Sequence, residues 1–443
     1  MSSKRNAGLG ASNRRQFLKG AMAAAGGAVA FPYVVPASAL GRDGTVAPSN
    51  RLVMGAIGVG GRGSSDLSWM MGEEDVQFVA VCDVQKPLRD RAKAAVDQRY
   101  GNTDCATFRD FRELLGKKEI DAVVIATGDR WHALAAMLAM RAGKDVYCEK
   151  PGTLTIAEGQ ALVQTEKTLG RIFQTGAQRA SESNFIFMGE LLRQGRLGKI
   201  HTVRAHLGYL PTWPRSNAVL PTEPLPPKEE LDWDLWLGQA PMRPYNSAFL
   251  KPWPVPGWYT QYDFAGGISA WGSHTILQCQ LDLGLADTSA VEYELPGDLT
   301  KDGMTVRFAN GVKLVAQLEG WRGTCGVRYE GDEGWVACAD GYERPDVSSP
   351  KLLENFVDVI KAYSERTGRP RNHVRDFLQS VKTRKPTVTS AVVAHRTMTT
   401  NLAMDLCLDL KRNLKWDPAK EEFIGDDEAN KRRSRVMREP WKI

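Results

Sequence analysis

Between residues 51 and 175, short apolar runs alternate with longer stretches in which apolar residues recur at helical spacing. The runs predict strands at Val53–Gly58, Gln77–Cys82, Ala122–Ala126, Asp145–Cys148 and Arg171–Thr175. Helices are expected between them at about Gly63–Met71, Pro87–Arg99, Phe108–Leu115, Trp131–Ala142 and Ile156–Leu169. Such alternation builds a parallel sheet with helices on both faces, and unbroken apolar strands suit burial on both sides.

The pattern then changes. Residues 184–197 read as an amphipathic helix ending at Gly195 and Gly198, and Ile200–Leu207 alternates like a strand. Residues 208–262 hold few periodic runs, but Trp213, Trp233, Trp236, Trp253, Trp258, Tyr259 and Tyr262 argue for order there. Strands follow at Ala290–Leu295, Thr305–Phe308, Lys313–Leu318, Gly326–Glu330 and Gly334–Cys338. Helices close the pattern at about Pro350–Tyr363, His373–Lys382 and Val388–Lys411. The fold class is therefore α/β. An N-terminal, doubly wound parallel Rossmann domain is expected at 50–177. A C-terminal α/β domain with an open, mostly antiparallel sheet is expected at 178–425, and a tail at 426–443.

Composition changes this picture at one place, the amino terminus. Of 58 Lys and Arg residues, Lys4, Arg5, Arg14, Arg15 and Lys19 fall in the first 39 residues, which contain no acid. Beyond them the balance is 53 basic to 52 acidic, which offers no basis for a nucleic-acid partner. Asn13–Lys19, with Arg14 and Arg15 at its centre, precedes an apolar stretch and the small residues Ala37-Ser38-Ala39. Residues 1–39 resemble a twin-arginine signal peptide, which implies export of a folded, cofactor-loaded protein through the twin-arginine machinery to a periplasmic location. No other run reaches the ~18 apolar residues of a membrane span. The seven cysteines form no C-x-x-C pair, and Cys82 and Cys148 sit in apolar runs, so buried free thiols are expected. No His/Cys cluster has metal-ligand spacing.

The candidate chemistry begins where the first strand meets Gly58-Val59-Gly60-Gly61-Arg62-Gly63, a G-x-G-x-x-G turn that can cradle a pyrophosphate. Asp83 closes the second strand 20 residues after Gly63. A carboxylate there can hold an adenosine ribose 2′-hydroxyl and repel a 2′-phosphate, favouring NAD over NADP; its alternative is a cap for the next helix. Further strand ends carry Thr127 with His132, and Glu149 with Lys150. His132 suits either cofactor contact or helix packing. Lys150, at the mouth of the sheet, can polarise a hydroxyl or carbonyl.

Gly58–Gly63, Ala126-Thr127 with Trp131-His132, Glu149-Lys150-Pro151, Gly266-Gly267 with Trp271-Gly272-Ser273-His274, and Trp416-Asp417-Pro418 occur in this order. Together they resemble the glucose–fructose oxidoreductase/inositol dehydrogenase/MocA (Gfo/Idh/MocA) family. The resemblance implies a dinucleotide across the first domain and a carbohydrate or polyol at the domain junction. It gives Lys150 a catalytic or cofactor-positioning role and His274 an acid/base role. Gly58, Gly60, Gly61, Arg62, Gly63, Asp83, Thr127, His132, Glu149 and Lys150 are the expected cofactor residues. Arg179, Tyr262, Asp263 and Trp271 are candidate substrate contacts, with a salt bridge the alternative for Arg179 and core packing for Trp271. Many members of the family carry an aspartate four residues before the histidine; this chain has Ala270. Hydride transfer with a tightly held NAD is the leading expectation. Redox-assisted glycoside cleavage and non-catalytic sugar binding are the alternatives. A homo-oligomer is expected from the open sheet face, and no metal.

Overall fold

The computed structural model describes residues 46–47, 50–207, 219–251, 257–317 and 321–443. The twin-arginine segment, Trp213, Trp253 and Leu318 lie outside the described residues. The described residues up to Arg51 belong to a separate unit, in which Arg51 Nε donates to the Val46 carbonyl at 3.1 Å. The second unit is Leu52–Ile443.

That unit opens with β1 (Leu52–Ile57), α1 (Gly61–Met71), β2 (Val76–Cys82), α2 (Lys86–Tyr100), β3 (Ala106–Phe108), α3 (Phe111–Leu115), β4 (Ala122–Ile125), α4 (Asp129–Arg141), β5 (Asp145–Cys148), α5 (Ile156–Leu169) and β6 (Phe173–Thr175). The strands pair in parallel in the order β3-β2-β1-β4-β5-β6, the doubly wound dinucleotide-binding order. One face is sealed by Leu134, Met137 and Leu162 from α4 and α5. The other is sealed by Leu67, Met70, Ala92 and Val96 from α1 and α2. β3 was not anticipated. Residues 106–108 extend the sheet edge, and the expected helix starts only at Phe111, where Asp110 accepts the Arg112 N–H at 2.9 Å and caps it.

The chain then runs through α6 (Ser183–Arg193), β7 (Ile200–His206), α7 (Trp233–Leu237), α8 (Ser269–Asp282), β8 (Glu292–Glu294), α9 (Leu299–Asp302), β9 (Met304–Arg307), β10 (Lys313–Gln317), β11 (Val327–Gly331), β12 (Gly334–Cys338) and β13 (Asp346–Val347). α10 (Phe356–Thr367), α11 (His373–Thr383), α12 (Ala391–Leu410), β14 (Leu414–Asp417), β15 (Glu422–Phe423) and α13 (Asp427–Lys431) complete it. The second sheet has the order β13-β12-β11-β7-β10-β9-β8-β14-β15, antiparallel except for the β7–β10 pair. Alternation along β7 puts Val203 and Ala205 into a core shared with Phe187, Leu191, Ile276, Met398 and Leu402. The outward positions are polar, with Arg204 and Arg328 both paired to Glu330. All seven cysteines are free and buried.

α8 is the largest departure from the pattern reading, which placed no helix between residue 197 and residue 350. Its residues from Gly272 to Gln280 are all buried, so it shows no polar face and no amphipathic period. Gly272 is required by helix packing: a Cβ there would fall 1.8 Å from Asn401 Oδ1 on α12. Gly272→Ala is expected to cost about 1–3 kcal/mol of stability through overpacking. Asn401→Ser in the same chain should restore part of the loss, read from paired thermal melts.

Candidate functional site

The carboxyl ends of β1 and β4 lie side by side, at the point where the strand order reverses and ligands of open parallel sheets bind. Gly58 turns the chain there with φ 78°. A Cβ on it would come within 2.7 Å of the Thr127 nitrogen and 2.8 Å of the Ala126 carbonyl carbon. A Cβ on Gly63 would fall 1.9 Å from the Gly58 oxygen. These two positions admit only glycine because backbone packs on backbone. Gly61 has nothing within 4 Å of a built Cβ, and Gly60 and Gly61 both line the adjoining cavity. Bare backbone at the amino end of α1 thus faces open space, a fitting cradle for phosphate oxygens. The cavity, about 640 Å³, brings Gly58, Gly60, Gly61, Arg62, Asp83, Thr127, His132, Glu149, Lys150 and His274 together.

Asp83 Oδ2 accepts the Val59 N–H at 2.9 Å and Oδ1 accepts that of Gln85 at 2.9 Å. One carboxylate thereby fixes the glycine loop and its own turn. Burial raises this carboxyl, and the N–H bonds from Gln85 and Val59 offset part of the rise. α2 itself is capped at Gln85 without any side-chain bond, so Asp83 is not that helix's cap. His132, on the first turn of α4, places Nδ1 2.7 Å from the Pro151 oxygen and Nε2 3.1 Å from the Thr127 oxygen. It ties the loop after β4 to the loop after β5.

Lys150 Nζ donates to the Ala270 carbonyl at 3.0 Å and lies 5.9 Å from the Trp271 ring centre. The lysine therefore meets backbone at the position where the resembling family places an aspartate. Its neighbour Glu149 accepts from Gln178 Nε2 at 2.8 Å and from Arg62 Nε at 3.0 Å. Arg62 also reaches Asp66 at 2.9 Å, so one guanidinium bridges two buried carboxylates. Burial first, then the charge of Glu149, push the Asp66 carboxyl well above the usual carboxylate range.

His274 enters the cavity from α8 and is 6% exposed. Burial, then the positive charges of Arg179, Lys150 and Arg62, hold it well below the ordinary histidine value, so the ring is neutral at pH 7. Its Nδ1 has no hydrogen-bond partner among the described residues.

The candidate substrate residues stand back from the cavity wall. Arg179 forms a two-pronged pair with Asp340, with Nε donating to Oδ1 at 2.6 Å, and reaches His274 only through its charge. Asp263 pairs with Arg243 at 2.5 Å. The Tyr262 ring lies 3.9 Å from the Arg435 guanidinium. Trp271 is half-buried beside Lys150. Asp129 and Gln178, in the loops after two of the strands, also line the cavity, and Tyr259 joins them from outside the motifs. Asp129 is 3% exposed, and its Oδ2 accepts the Gly266 N–H at 3.0 Å, locking the start of α8 to the start of α4. Tyr259 sits in the aperiodic aromatic segment, where no pattern singles it out.

Together these features describe a dinucleotide-binding Rossmann domain whose cavity is completed from a second α/β domain. Residues 52–177 match a family model described as an oxidoreductase family NAD-binding Rossmann fold, and residues 199–443 match its C-terminal alpha/beta domain. The chain belongs to the Gfo/Idh/MocA oxidoreductase family. It is 28% identical over 176 residues to inositol 2-dehydrogenase of Salmonella typhimurium, covering 39% of this chain and 51% of that protein. It is 32% identical over 207 residues to alpha-N-acetylgalactosaminidase of Shewanella oneidensis, covering 42% of this chain and 44% of that protein. The chain thus spans about half the length of the curated relatives it matches. The WlbA dehydrogenase of Bordetella pertussis, solved with NADH and UDP-GlcNAcA, shares the fold at TM-score 0.58 and 14% identity, over 83% of this chain and 98% of that one.

The buried Asp66 generates a test. A carboxyl raised in the folded state binds its proton more tightly there than in the unfolded chain, so stability falls as pH rises above the usual carboxylate range. Asp66→Asn should flatten that fall. Melting temperatures of the cofactor-free protein, compared between acidic and alkaline pH, should show the variant gaining on the wild type toward alkaline pH.

Proposed function

We propose that the protein oxidises a hydroxyl of a carbohydrate or polyol by hydride transfer to NAD. The observation that carries the reading is the convergence on one cavity of the glycine loop, Lys150 and a neutral His274 from the second domain. NAD, when bound, supplies the hydride acceptor. Gly60, Gly61 and the amino end of α1 would hold its pyrophosphate, and Asp83 would hold the ribose 2′-hydroxyl, which favours NAD over NADP. His274, already unprotonated, takes the hydroxyl proton as the carbon beside it gives up hydride. The Lys150 ammonium steadies the oxygen that becomes a carbonyl. The names of the relatives, an inositol dehydrogenase and a galactosaminidase, support a hydroxyl-rich substrate. Trp271, next to Lys150, would offer the ring face. Arg179, Tyr262 and Asp263 would first have to leave Asp340, Arg435 and Arg243, so we place them behind the cavity wall and not against the substrate. The leader supports export of the loaded protein to the periplasm, where a resident NAD would be recycled within each turnover. The open face of the second sheet supports a homo-oligomer.

The Shewanella relative favours a second reading, in which the same oxidation is transient and serves glycoside cleavage. Chromogenic glycosides separate the two: aglycone release without net NADH supports cleavage, and stoichiometric NADH with an oxidised product supports dehydrogenation.

Lys150→Ala and His274→Ala should each lower kcat/KM by about 10²–10⁴-fold, the usual range for a positioned proton-transfer group. His274→Ala should leave NADH affinity, read by fluorescence titration, near wild type. Because His274 is depressed, its base form persists on acidification, and the acid limb of kcat/KM should lie below about 6.5. A limb at or above that value would remove His274 from the base role.

A further inference from the structure

Residues 229–240 supply Leu235 and Trp236 to one side of the cofactor cavity, pack Trp233 and Leu237 into an aromatic cluster, and are tied to the first domain by hydrogen bonds. On the adenosine side, the Lys86 N–H donates to the Glu230 oxygen at 2.9 Å and the Asp232 N–H to the Val84 oxygen at 3.1 Å. On the opposite side, buried Arg130 donates through Nε to the Trp236 oxygen at 2.8 Å, with its guanidinium 3.9 Å from the Trp236 ring centre. Trp131 Nε1 donates to the Leu235 oxygen at 2.9 Å. Leu235 and Trp236 are themselves part of the cavity wall. This segment, called the cover below, is thus one side of the space where the dinucleotide would lie.

The chain's last residues hold the cover down. Arg438 Nη1 bonds the Asp234 carboxylate at 2.7 Å, Nη2 bonds the Gly238 oxygen at 2.7 Å, and Nε reaches the Ala240 oxygen at 3.2 Å. Its own N–H donates to the Gln239 oxygen at 2.9 Å. Trp441 is 6% exposed and meets Trp131 edge to face at 4.8 Å, with Arg112 stacked on it at 5.0 Å. Trp131 is therefore clamped between the cover, which takes its N–H, and the carboxyl-terminal strap, which takes its ring. Gly238 fits beneath: a Cβ there would meet the Trp131 ring at 2.5 Å.

We propose that Arg438 and Trp441 are latch residues that set the residence time of the dinucleotide by holding the 229–240 cover against α4. The proposal rests on the NAD-binding reading of the cavity. Neither residue lines the cavity, so they act through Trp131 and the cover, as positioning residues. Outward movement of the cover would widen the way out for a dinucleotide, and it must break either the Arg438 bonds to the cover or the Trp441 contact that ties the strap to Trp131.

The test is the rate at which bound NADH leaves the full-length protein, followed by loss of its fluorescence on chasing with excess NAD. Arg438→Ala with Trp441→Ala should speed release by about tenfold or more, as expected from losing several charge-assisted bonds and an aromatic pair. Trp441→Phe, which keeps an edge-to-face ring, should stay within about twofold of wild type. A purely structural role would lower the melting temperature of both single alanine variants without changing release from the folded fraction. A double variant that is folded by circular dichroism and releases NADH at the wild-type rate overturns the latch. If the double variant does not fold, the single Arg438→Ala variant decides by the same rate criterion. A wild-type protein that binds no NADH overturns the cofactor reading instead, so the two failures are distinguishable.

Discussion

The two reactive side chains of the cavity, Lys150 and His274, trace back to one backbone contact, that of Gly58 against the Ala126–Thr127 peptide. It sets the end of β1 directly beside the end of β4 and leaves no room for a side chain. From Thr127 the constraint passes to His132, whose ring spans the Thr127 and Pro151 oxygens and so fixes the loop that bears Lys150. From the start of the same helix it passes through Asp129 to the Gly266 N–H, and Gly266 leads into the helix that carries His274. A lysine and a histidine 124 positions apart are thus registered to one point, the first through the two hydrogen bonds of His132 and the second through the one of Asp129. Preorganisation of this kind is what lets two side chains act on one substrate atom.

The charges around that point are arranged at a cost. Asp66 and Glu149 are both almost fully buried, and a single half-exposed arginine serves them. Burying such a group of charges is weak as a source of stability, because desolvation consumes most of the Coulombic gain. Its value is local. Arg62 is the one cation in that trio with access to the cavity, so a pyrophosphate at the glycine loop would compete with Glu149 and Asp66 for it. His274 shows the complementary case. It sits in the field of Arg179, Lys150 and Arg62, and that field, added to burial, keeps a proton off the ring.

The parallel sheet was legible in the chain because its strands are short unbroken apolar runs and its ligand loops sit at their ends. Asp145–Cys148 and Ile156–Leu169 fall where the pattern puts them. The glycine loop and Lys150 were legible for the same reason, since strand ends can be located and chemistry read beside them. α8 was not, because a helix buried on all sides has no polar face to mark its period. Tyr259 and the cover were invisible for a different reason. Residues 229–240 owe their position to bonds with Val84, Lys86, Arg130 and Arg438, which lie far away in sequence, and local pattern carries no trace of such partners.

The division into two domains describes the sheets better than it describes the packing. α11 returns from beyond residue 370 to cover Tyr147 on β5, with Phe377 5.8 Å and His373 5.9 Å from the Tyr147 ring. Arg375 on that helix bonds Asp75 at 2.5 Å, and Arg384 just after it bonds Asp145 at 2.5 Å. α12 then contributes Ala391 and Ala394 to the first domain's core and Met398, Leu402 and Ala403 to the second's. A rigid helix shared by two cores cannot act as a hinge without exposing apolar surface on one side, at about 25 cal/mol for each Å² uncovered. Opening of the cavity by rotation of one domain on the other is therefore opposed by the interior of the protein. The motion left to admit a dinucleotide would be local, in the 229–240 segment, which is held by hydrogen bonds, ring contacts and the packing of Leu235, Trp236 and Leu237.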